Sequence, residues 1–233
     1  MRMATILDVG TARSLGVPDA VADLVLPHGM PGEALASIVP GNPLDDHWTC
    51  PLDIPGGNLV AWSGTLGEEL FSDEPRTWMS EGHERLERFC DDVREPLRNA
   101  GRTLCFRPHA RHVLSDPQGT LDLLRRREDE PFGLAVSPAD LLLPEMIGDA
   151  EDHFTRILES MIPRADFVLL ADARPDETGE NMTACPLGSG VLPAAAVMEA
   201  INTRLPEEAW VVVAPSDVPT MTSWRHGDLD STD

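Results

Sequence analysis

Eight short apolar runs recur along this chain of 233 residues, and they constrain the fold more than any other feature of the sequence. Each run is rich in Val, Ile, Leu or Phe and is bounded by Gly, Pro or Asp, a pattern typical of buried parallel β-strands. The predicted strands are residues 4–10, 22–27, 35–40, 58–64, 103–109, 132–138, 166–172 and 210–216.

Helix patterns separate the later runs. Apolar residues spaced by three and four positions extend from Leu86 to Leu97, and Gly101 is placed to end that helix after Pro96 has kinked its last turn. The other helix signals are an apolar stripe over 154–162 that stops at Pro163, an N-cap and first helical residue at Asp116 and Pro117, and an opening proline at Pro193. Strand and helix therefore alternate through the second half of the chain.

This alternation favours an α/β fold of the (β/α)₈ TIM-barrel type, because a right-handed series of eight βα units can close on itself. Only about ten residues separate the first three predicted strands, which is near the minimum for a parallel crossover, so the first βα units should be abbreviated. An open, doubly wound sheet is the alternative architecture. The barrel would occupy residues 1–216 as a single domain, and the polar, acidic residues 217–233 should form a mobile tail.

The charge balance and two missing residue types exclude several classes of function. Against 40 acidic residues the chain has 18 basic ones, all arginine, and the net charge of −22 disfavours nucleic acid or an anionic membrane as a partner. Without lysine there is no amine for a Schiff base, for pyridoxal phosphate or for a P-loop. Tyrosine is absent too, so Trp and Phe must supply the aromatic surface. A nucleotide-binding sheet would need a glycine-rich turn after the first strand, where only Gly10 is present.

The cysteines indicate a reducing compartment. No C-x-x-C spacing links the four cysteines, which are Cys50, Cys90, Cys105 and Cys185. No apolar stretch typical of a signal peptide follows the first residues, and no apolar run reaches the ~18 residues that span a bilayer. We therefore expect a cytoplasmic protein with reduced thiols. Because Cys90 and Cys105 fall on apolar faces, we expect them to be core thiols rather than nucleophiles.

In a TIM barrel the reactive groups stand at the C-terminal ends of the strands. On this chain those ends carry Trp62, Arg107, His109, Ser137, Asp140, Asp172 and Arg174. The order of the segments around them resembles the sugar phosphate isomerase/epimerase family, the xylose isomerase-like TIM barrels that also include endonuclease IV-type enzymes. The resemblance covers roughly residues 58–216 and is carried by strand 103–109 with the capped helix at Asp116, by 132–140, by 167–172, and by the PLGSGVLP loop at 186–193 before the last strand.

The resemblance implies a divalent metal held by two Glu, an Asp and a His, with the Glu residues moving a proton at the carbon next to a carbonyl. This sequence departs from that pattern at every ligand position, which here are Arg107, Ser137, Leu169 and Ala214. The positions that still match the family are Asp172, Gly188 and Gly190, with Asp140 standing where a histidine would be. We therefore expect no metal and no other cofactor.

Arg107 replaces an anion by a cation, so the mouth of the barrel should favour an anionic or strongly polar ligand. Arg107 would clamp a carboxylate or phosphate, or else form a salt bridge to Asp140 or Asp172. Asp172 and His109 are the candidates for proton transfer. The alternative role of Asp172 is that of a structural carboxylate. His109 and the nearby His112 could bind a metal or shuttle protons, or they could be histidines that face solvent or order their loop.

The other candidate ligand-binding residues also have structural explanations. Trp62 could stack on a sugar ring or fill the upper layer of the barrel. Arg174 could bind substrate or lie on the surface. Gly188 and Gly190 could present backbone amides to an anion, or could permit a tight loop before the helix.

Two functions from different classes follow from this reading. The first is an isomerase or epimerase acting on a small polyhydroxylated substrate, with protein groups in place of the metal, as the resemblance implies. The second is a non-catalytic relative that binds a carbohydrate-like metabolite or another protein.

Overall fold

A closed barrel of eight strands forms the centre of the molecule in the computed structural model, which describes residues 1–7, 23–29 and 32–228. Around the barrel the strand order is β1-β10-β7-β6-β5-β4-β3-β2. The barrel strands are β1 (Arg2–Leu7), β2 (Asp23–Pro27), β3 (Ala36–Ile38), β4 (Asn58–Trp62), β5 (Thr103–Arg107), β6 (Phe132–Val136), β7 (Phe167–Leu170) and β10 (Trp210–Val213). The barrel expected from the sequence is thus confirmed, although the predicted strand ends at 8–10 and 22 lie outside the described residues.

One strand runs against the others. Strand β2 pairs antiparallel with both β1 and β3, whereas every other neighbouring pair in the barrel is parallel. The reason is the length of its connection, since β2 ends at Pro27 and β3 begins at Ala36. Such a link is long enough for an antiparallel return but shorter than the dozen or so residues that a parallel crossover needs. The expectation of eight parallel strands is corrected at this point.

Five α-helices are described. They are α1 (Ser80–Ala100), α2 (Pro117–Arg126), α3 (Ala150–Met161), α4 (Ala194–Arg204) and α5 (Val218–His226). The first four confirm the helix patterns of the sequence. Asp116 caps α2 by accepting the Gly119 N–H at 2.9 Å, and Gly101 ends α1 in the left-handed region at φ 64°. Residues 39–57, which join β3 to β4, contain no helix, in agreement with abbreviated early units.

The fifth helix corrects the expected mobile tail. Residues Val218–His226 are helical, and the side chains of Met221 and Trp224 are buried in the main core. Apolar residues spaced by three positions give this short helix a buried face, and Gly227 ends it at φ 92°. The domain therefore continues past residue 216, and residues 229–233 lie outside the described part.

A two-stranded hairpin was not predicted. The run at 166–172 ends as a barrel strand at Leu170, and the chain then forms an antiparallel pair, β8 (Asp172–Pro175) and β9 (Met182–Cys185). This hairpin leaves the barrel at the C-terminal end of β7 and returns to the loop before α4. It therefore rises above the mouth of the barrel.

The interior of the barrel is filled mostly by small and branched side chains, with one aromatic ring at Phe167. Its buried residues are Ala4, Val25, Ala36, Ile38, Val60, Cys105, Ala135, Phe167, Leu169 and Val212. Cys105 lies in this interior and Cys90 lies in the outer core under α1, as expected for core thiols. Burial raises the pKa of the Cys90 thiol to about 12, which keeps it protonated and unreactive. Within the described residues no helix is both long enough and apolar enough to cross a membrane.

Candidate functional site

Arg107 stands at the upper end of β5 and contacts two other predicted site residues. Its Nε donates to Oδ2 of Asp140 at 2.6 Å, and its guanidinium carbon lies 4.1 Å from the centre of the Trp62 ring. Trp62 reaches this position because it is paired with Arg107 in the register of β4 and β5. The structure therefore brings Arg107, Asp140 and Trp62 together, and of the two alternatives for Arg107 it contains the salt bridge to Asp140.

The loop after β5 carries both histidines and is tied to its neighbours by hydrogen bonds. Val113 N–H donates to the Gly64 carbonyl at 2.9 Å and Ala110 N–H donates to the Asp140 carbonyl at 2.9 Å. Since these bonds connect the ends of β4, β5 and β6, the loop has a defined position over the barrel.

Four rings form a cluster, two of them on this loop, one on the loop after β4 and one at the end of β4. His112 stacks on Phe71 with ring centres 5.4 Å apart and planes within 10°, and Trp62 meets His109 edge-on at 5.6 Å. Phe71 also lies 4.8 Å from His109, while 45% of its own surface stays exposed. Sequence reasoning missed Phe71, because it lies in a loop without any apolar periodicity.

Both histidines are neutral near pH 7. Burial, helped by the charges of Arg107 and Arg111, lowers the pKa of His109 to about 4. Burial and then the neighbouring His109 lower the pKa of His112 to about 3. The Nε2 atom of His112 lies 2.8 Å from the Leu70 carbonyl, so this nitrogen carries the proton, and Nδ1 is buried without a hydrogen-bond partner among the described residues.

A cavity of about 430 Å³ opens between the ring cluster and the hairpin. Its walls combine an aromatic and aliphatic surface with a few polar groups. The lining residues are Trp62, Phe71, His109, Arg111, Asp140, Leu142, Leu143, Pro144, Asn181, Met182, Thr183 and Ala184. Of the predicted site residues, Trp62, His109 and Asp140 line it, and the cation in its wall is Arg111 rather than Arg107.

A larger cavity, of about 820 Å³, lies on the outside of the barrel between α2 and α3. None of the predicted site residues lines it, and it is remote from the strand ends where a TIM barrel carries its chemistry. We therefore place the candidate site in the smaller cavity at the barrel mouth.

Asp172 binds the loop that follows β9. Its Oδ2 accepts the N–H groups of Gly188 at 3.1 Å and Gly190 at 2.8 Å, and its Oδ1 accepts those of Leu192 at 2.9 Å and Ala173 at 2.8 Å. Asp172 is only 1% exposed, so these amides satisfy a buried carboxylate. The backbone amides that the sequence offered as an anion cradle are thus occupied by the protein's own Asp172.

The two glycines of this loop are required by its geometry. Gly188 has a φ of 82°, and a Cβ on Gly190 would overlap the carbonyl oxygen of Ala173 and the carboxylate of Asp172. This agrees with the tight-loop explanation of the Gly-Ser-Gly sequence.

Arg174 lies apart from the cavity. It sits on the exposed side of the hairpin, opposite Thr183, and forms no salt bridge with any described residue. Arg174 is absent from the cavity lining, so the structure does not bring it together with the other candidates.

The four positions that would hold the family's metal offer poor donors. Arg107 is cationic, Leu169 and Ala214 have no donor atom, and Ser137 has one hydroxyl, which is buried without a partner among the described residues. A divalent cation of this kind needs several carboxylate or imidazole donors, so this set does not fit it. Elsewhere in residues 1–7, 23–29 and 32–228 no three His, Cys, Asp or Glu side chains cluster so as to hold a metal ion.

Comparison with known proteins finds similarity in three-dimensional structure only. No family model matches the sequence. No curated protein matches it either. A D-tagatose 3-epimerase-like protein superposes over 83% of this chain and 77% of its own, with 10% sequence identity and a TM-score of 0.59. A xylose isomerase domain protein from Planctomyces limnophilus superposes over 74% of this chain and 58% of its own, with 13% identity and a TM-score of 0.50.

The chain is shorter than these proteins. It spans 58% of the Planctomyces structure and 54% of a xylose isomerase-like TIM barrel protein from Mycobacterium smegmatis, which covers 68% of this chain at 11% identity and a TM-score of 0.48. The closed barrel and the superposition confirm at the level of fold the resemblance carried by the sequence: this chain has the xylose isomerase-like TIM-barrel fold.

Proposed function

We propose that this chain is a divergent member of the sugar phosphate isomerase/epimerase family that binds a small, polyhydroxylated, anionic metabolite at the barrel mouth without the family's divalent metal. One observation carries the proposal: the cavity wall combines an aromatic surface with a few polar groups. Trp62 and Phe71 supply the wall, and Asp140, His109 and Arg111 supply the polar groups.

Such a lining suits a carbohydrate. The C–H face of a sugar packs on an aromatic ring, while its hydroxyls need acceptors and donors around the edge. Arg107 Nε donates to Oδ2 of Asp140, and within the described part of the chain Oδ1 is left to accept hydroxyl protons. The ion pair also fixes the orientation of that carboxylate, so Oδ1 would accept hydroxyl protons only from a defined direction.

Arg111 is the group we assign to the anion. The charge of Arg107 is balanced by Asp140, which lies 2.6 Å away. Among the described residues, the side chain of Arg111 makes only a 3.4 Å contact to the Glu180 carbonyl. The net charge of −22 opposes this assignment at long range. At physiological ionic strength, however, charges more than about 8 Å apart are largely screened, and a guanidinium in the cavity wall acts at contact distance.

A second function is favoured by a specific observation. Asp172 is the matched carboxylate of the family, and here it is buried and bound by four backbone amides. With its pKa near 4, His109 is a weak base at pH 7, and Asp172 does not line the cavity. The alternative is therefore a non-catalytic carbohydrate-binding relative on the same cavity.

Binding is tested by thermal unfolding in the presence of D-glucuronate, D-ribulose 5-phosphate, neutral D-tagatose, and MnCl₂ or MgCl₂ alone. We expect an anionic sugar at about 100 times its Kd to raise Tm by roughly 5–10 °C, and the metals alone to have no such effect. Arg111→Ala should remove the preference for the anionic sugars, whereas Arg174→Ala, on the exposed face of the hairpin, should not change it. Stabilisation by the metals alone, or by none of the sugars, would overturn the proposal.

Catalysis is tested separately with the ligand that binds. Incorporation of deuterium from D₂O at the carbon next to the sugar carbonyl, followed by NMR, reports proton transfer whatever the product. Incorporation by the wild-type protein supports the enzyme, and binding without incorporation supports the non-catalytic relative.

A further inference from the structure

The two ring nitrogens of His109 have different environments. Nδ1 accepts a hydrogen bond from the backbone N–H of Arg111 at 3.1 Å. An acceptor nitrogen carries a lone pair and no proton, so in the neutral ring the proton must be on Nε2. Nε2 has no hydrogen-bond partner among the described residues, and His109 lines the cavity at the barrel mouth.

We infer that the loop after β5 fixes His109 as the Nε2–H tautomer, and that this N–H donates a hydrogen bond to an acceptor oxygen of the ligand. The tautomer follows from the contact with Arg111 alone. The second half of the inference, the ligand contact, rests on the proposed function.

The surroundings support a neutral donor. Burial and the charges of Arg107 and Arg111 keep the pKa of His109 near 4, so the ring stays uncharged at pH 7. The rings of Trp62 and Phe71, at 5.6 and 4.8 Å, flank the imidazole and limit its rotation. The hydrogen bonds that tie the loop to β4 and β6 keep the Arg111 N–H in place.

The ligand must present a hydrogen-bond acceptor to the Nε2–H of His109. A carbonyl, carboxylate or phosphate oxygen, or the lone pair of a hydroxyl, can accept this bond, whereas a methylene or an amine proton cannot. His109 is thereby a binding group that polarises an oxygen. It cannot abstract a proton through Nε2 unless the ring first changes tautomer, which would break the contact with Arg111.

The tautomer is tested without any ligand, by a long-range ¹H–¹⁵N correlation spectrum of the uniformly labelled wild-type protein at pH 7. The His109 ring is one of seven histidines in the chain and is assigned by its absence from the spectrum of His109→Gln. We expect the Nδ1 resonance in the unprotonated range and the Nε2 resonance in the protonated range. The reverse pattern, or rapid averaging of both nitrogens, overturns the inference.

The contact with the ligand is tested by two variants of His109. In His109→Gln the amide N–H lies near the position of Nε2 and can still donate into the cavity. In His109→Asn the amide lies near Nδ1 and can satisfy Arg111 N–H, but no donor reaches the cavity. With D-glucuronate as the probe, we expect His109→Gln to bind within about threefold of wild type and His109→Asn to bind roughly 3- to 10-fold more weakly, the range expected for one hydrogen bond.

The outcomes separate the two proposals. If the wild-type protein does not bind D-glucuronate or the other anionic sugars, the proposed function fails, while the NMR result still decides the tautomer. If the wild type binds and His109→Asn binds equally well, or His109→Gln loses more affinity than His109→Asn, the contact between His109 and the ligand is disproved.

Discussion

Both carboxylate oxygens of Asp172 bind backbone amides, and this single side chain organises the loop before α4. Four N–H donors stay satisfied in this buried place only while both oxygens of the side chain accept hydrogen bonds. The alternative of a structural carboxylate, which the sequence left open for Asp172, agrees with this geometry. Its catalytic role stays a prediction.

Replacing Asp172 by asparagine tests the structural role. The amide would turn an NH₂ group towards backbone N–H donors, so Asp172→Asn should lower the free energy of unfolding by about 2–4 kcal/mol, measured from urea midpoints. Glu177→Gln, an exposed acid on the same hairpin, is the control and should stay within about 0.5 kcal/mol of wild type. Equal stability of the two variants would disprove this role.

The burial of a neutral His112 makes the free energy of unfolding depend on pH. The pKa of His112 is lowered from 6.5 to about 3 in the folded protein, so the unfolded chain binds more protons between these values. The stability that the neutral His112 contributes is therefore fully present above pH 6.5 and is lost as the pH decreases towards 3. In His112→Gln the slope of unfolding free energy against pH over this window should be smaller by up to about 1.4 kcal/mol per pH unit. Parallel curves for the variant and the wild type would contradict the burial of a neutral His112.

Residue by residue, the sequence predicted which side chains meet at the barrel mouth only where position along a strand decides it. Arg107, Trp62 and Asp140 follow strand ends, and the structure brings them into contact. Phe71 and Arg111 could not be found in this way, since their places depend on how two irregular loops fold against each other. No local pattern encodes that arrangement.

At the scale of elements, the apolar runs predicted every barrel strand, and apolar spacing together with residues typical of helix ends predicted the first four helices. The direction of β2 did not follow from its composition, because strand direction depends on the length of the connection. The hairpin β8–β9 was missed because its strands have only four residues each and the exposed residues Arg174 and Thr183 break the apolar pattern. Helix α5 was missed because only Met221 and Trp224 mark its buried face.

Helix α5 should contribute strongly to stability despite its position near the end of the chain. Trp224 is 3% exposed and belongs to the main core, so Trp224→Ala should cost about 3–5 kcal/mol of unfolding free energy. The neighbouring Arg225 is exposed, and Arg225→Ala should change stability by less than about 0.5 kcal/mol. Both values follow from chemical denaturation of the full chain. A Trp224→Ala protein as stable as wild type would show that this helix does not pack on the barrel in solution.

For the whole molecule, the architecture matches a D-tagatose 3-epimerase-like protein over 83% of the chain at only 10% identity. Barrel closure depends on the pattern of apolar runs and on small interior side chains, which many sequences can satisfy. The chemistry at the mouth depends on individual residues, and a shared fold does not determine it. The central claim is therefore that the guanidinium of Arg107, paired with Asp140 and stacked on Trp62, occupies the barrel mouth in place of a cluster of metal ligands.

Diffraction measured at the manganese absorption edge tests this claim most directly. The crystals are grown with MnCl₂ at about 10 mM, which is above the Kd of most protein sites for divalent ions. We predict no anomalous peak above the ends of β5, β6, β7 and β10, with Arg107 still paired to Asp140 and stacked on Trp62. An anomalous peak at that place, with three or more carboxylate or imidazole ligands around it, would contradict the account.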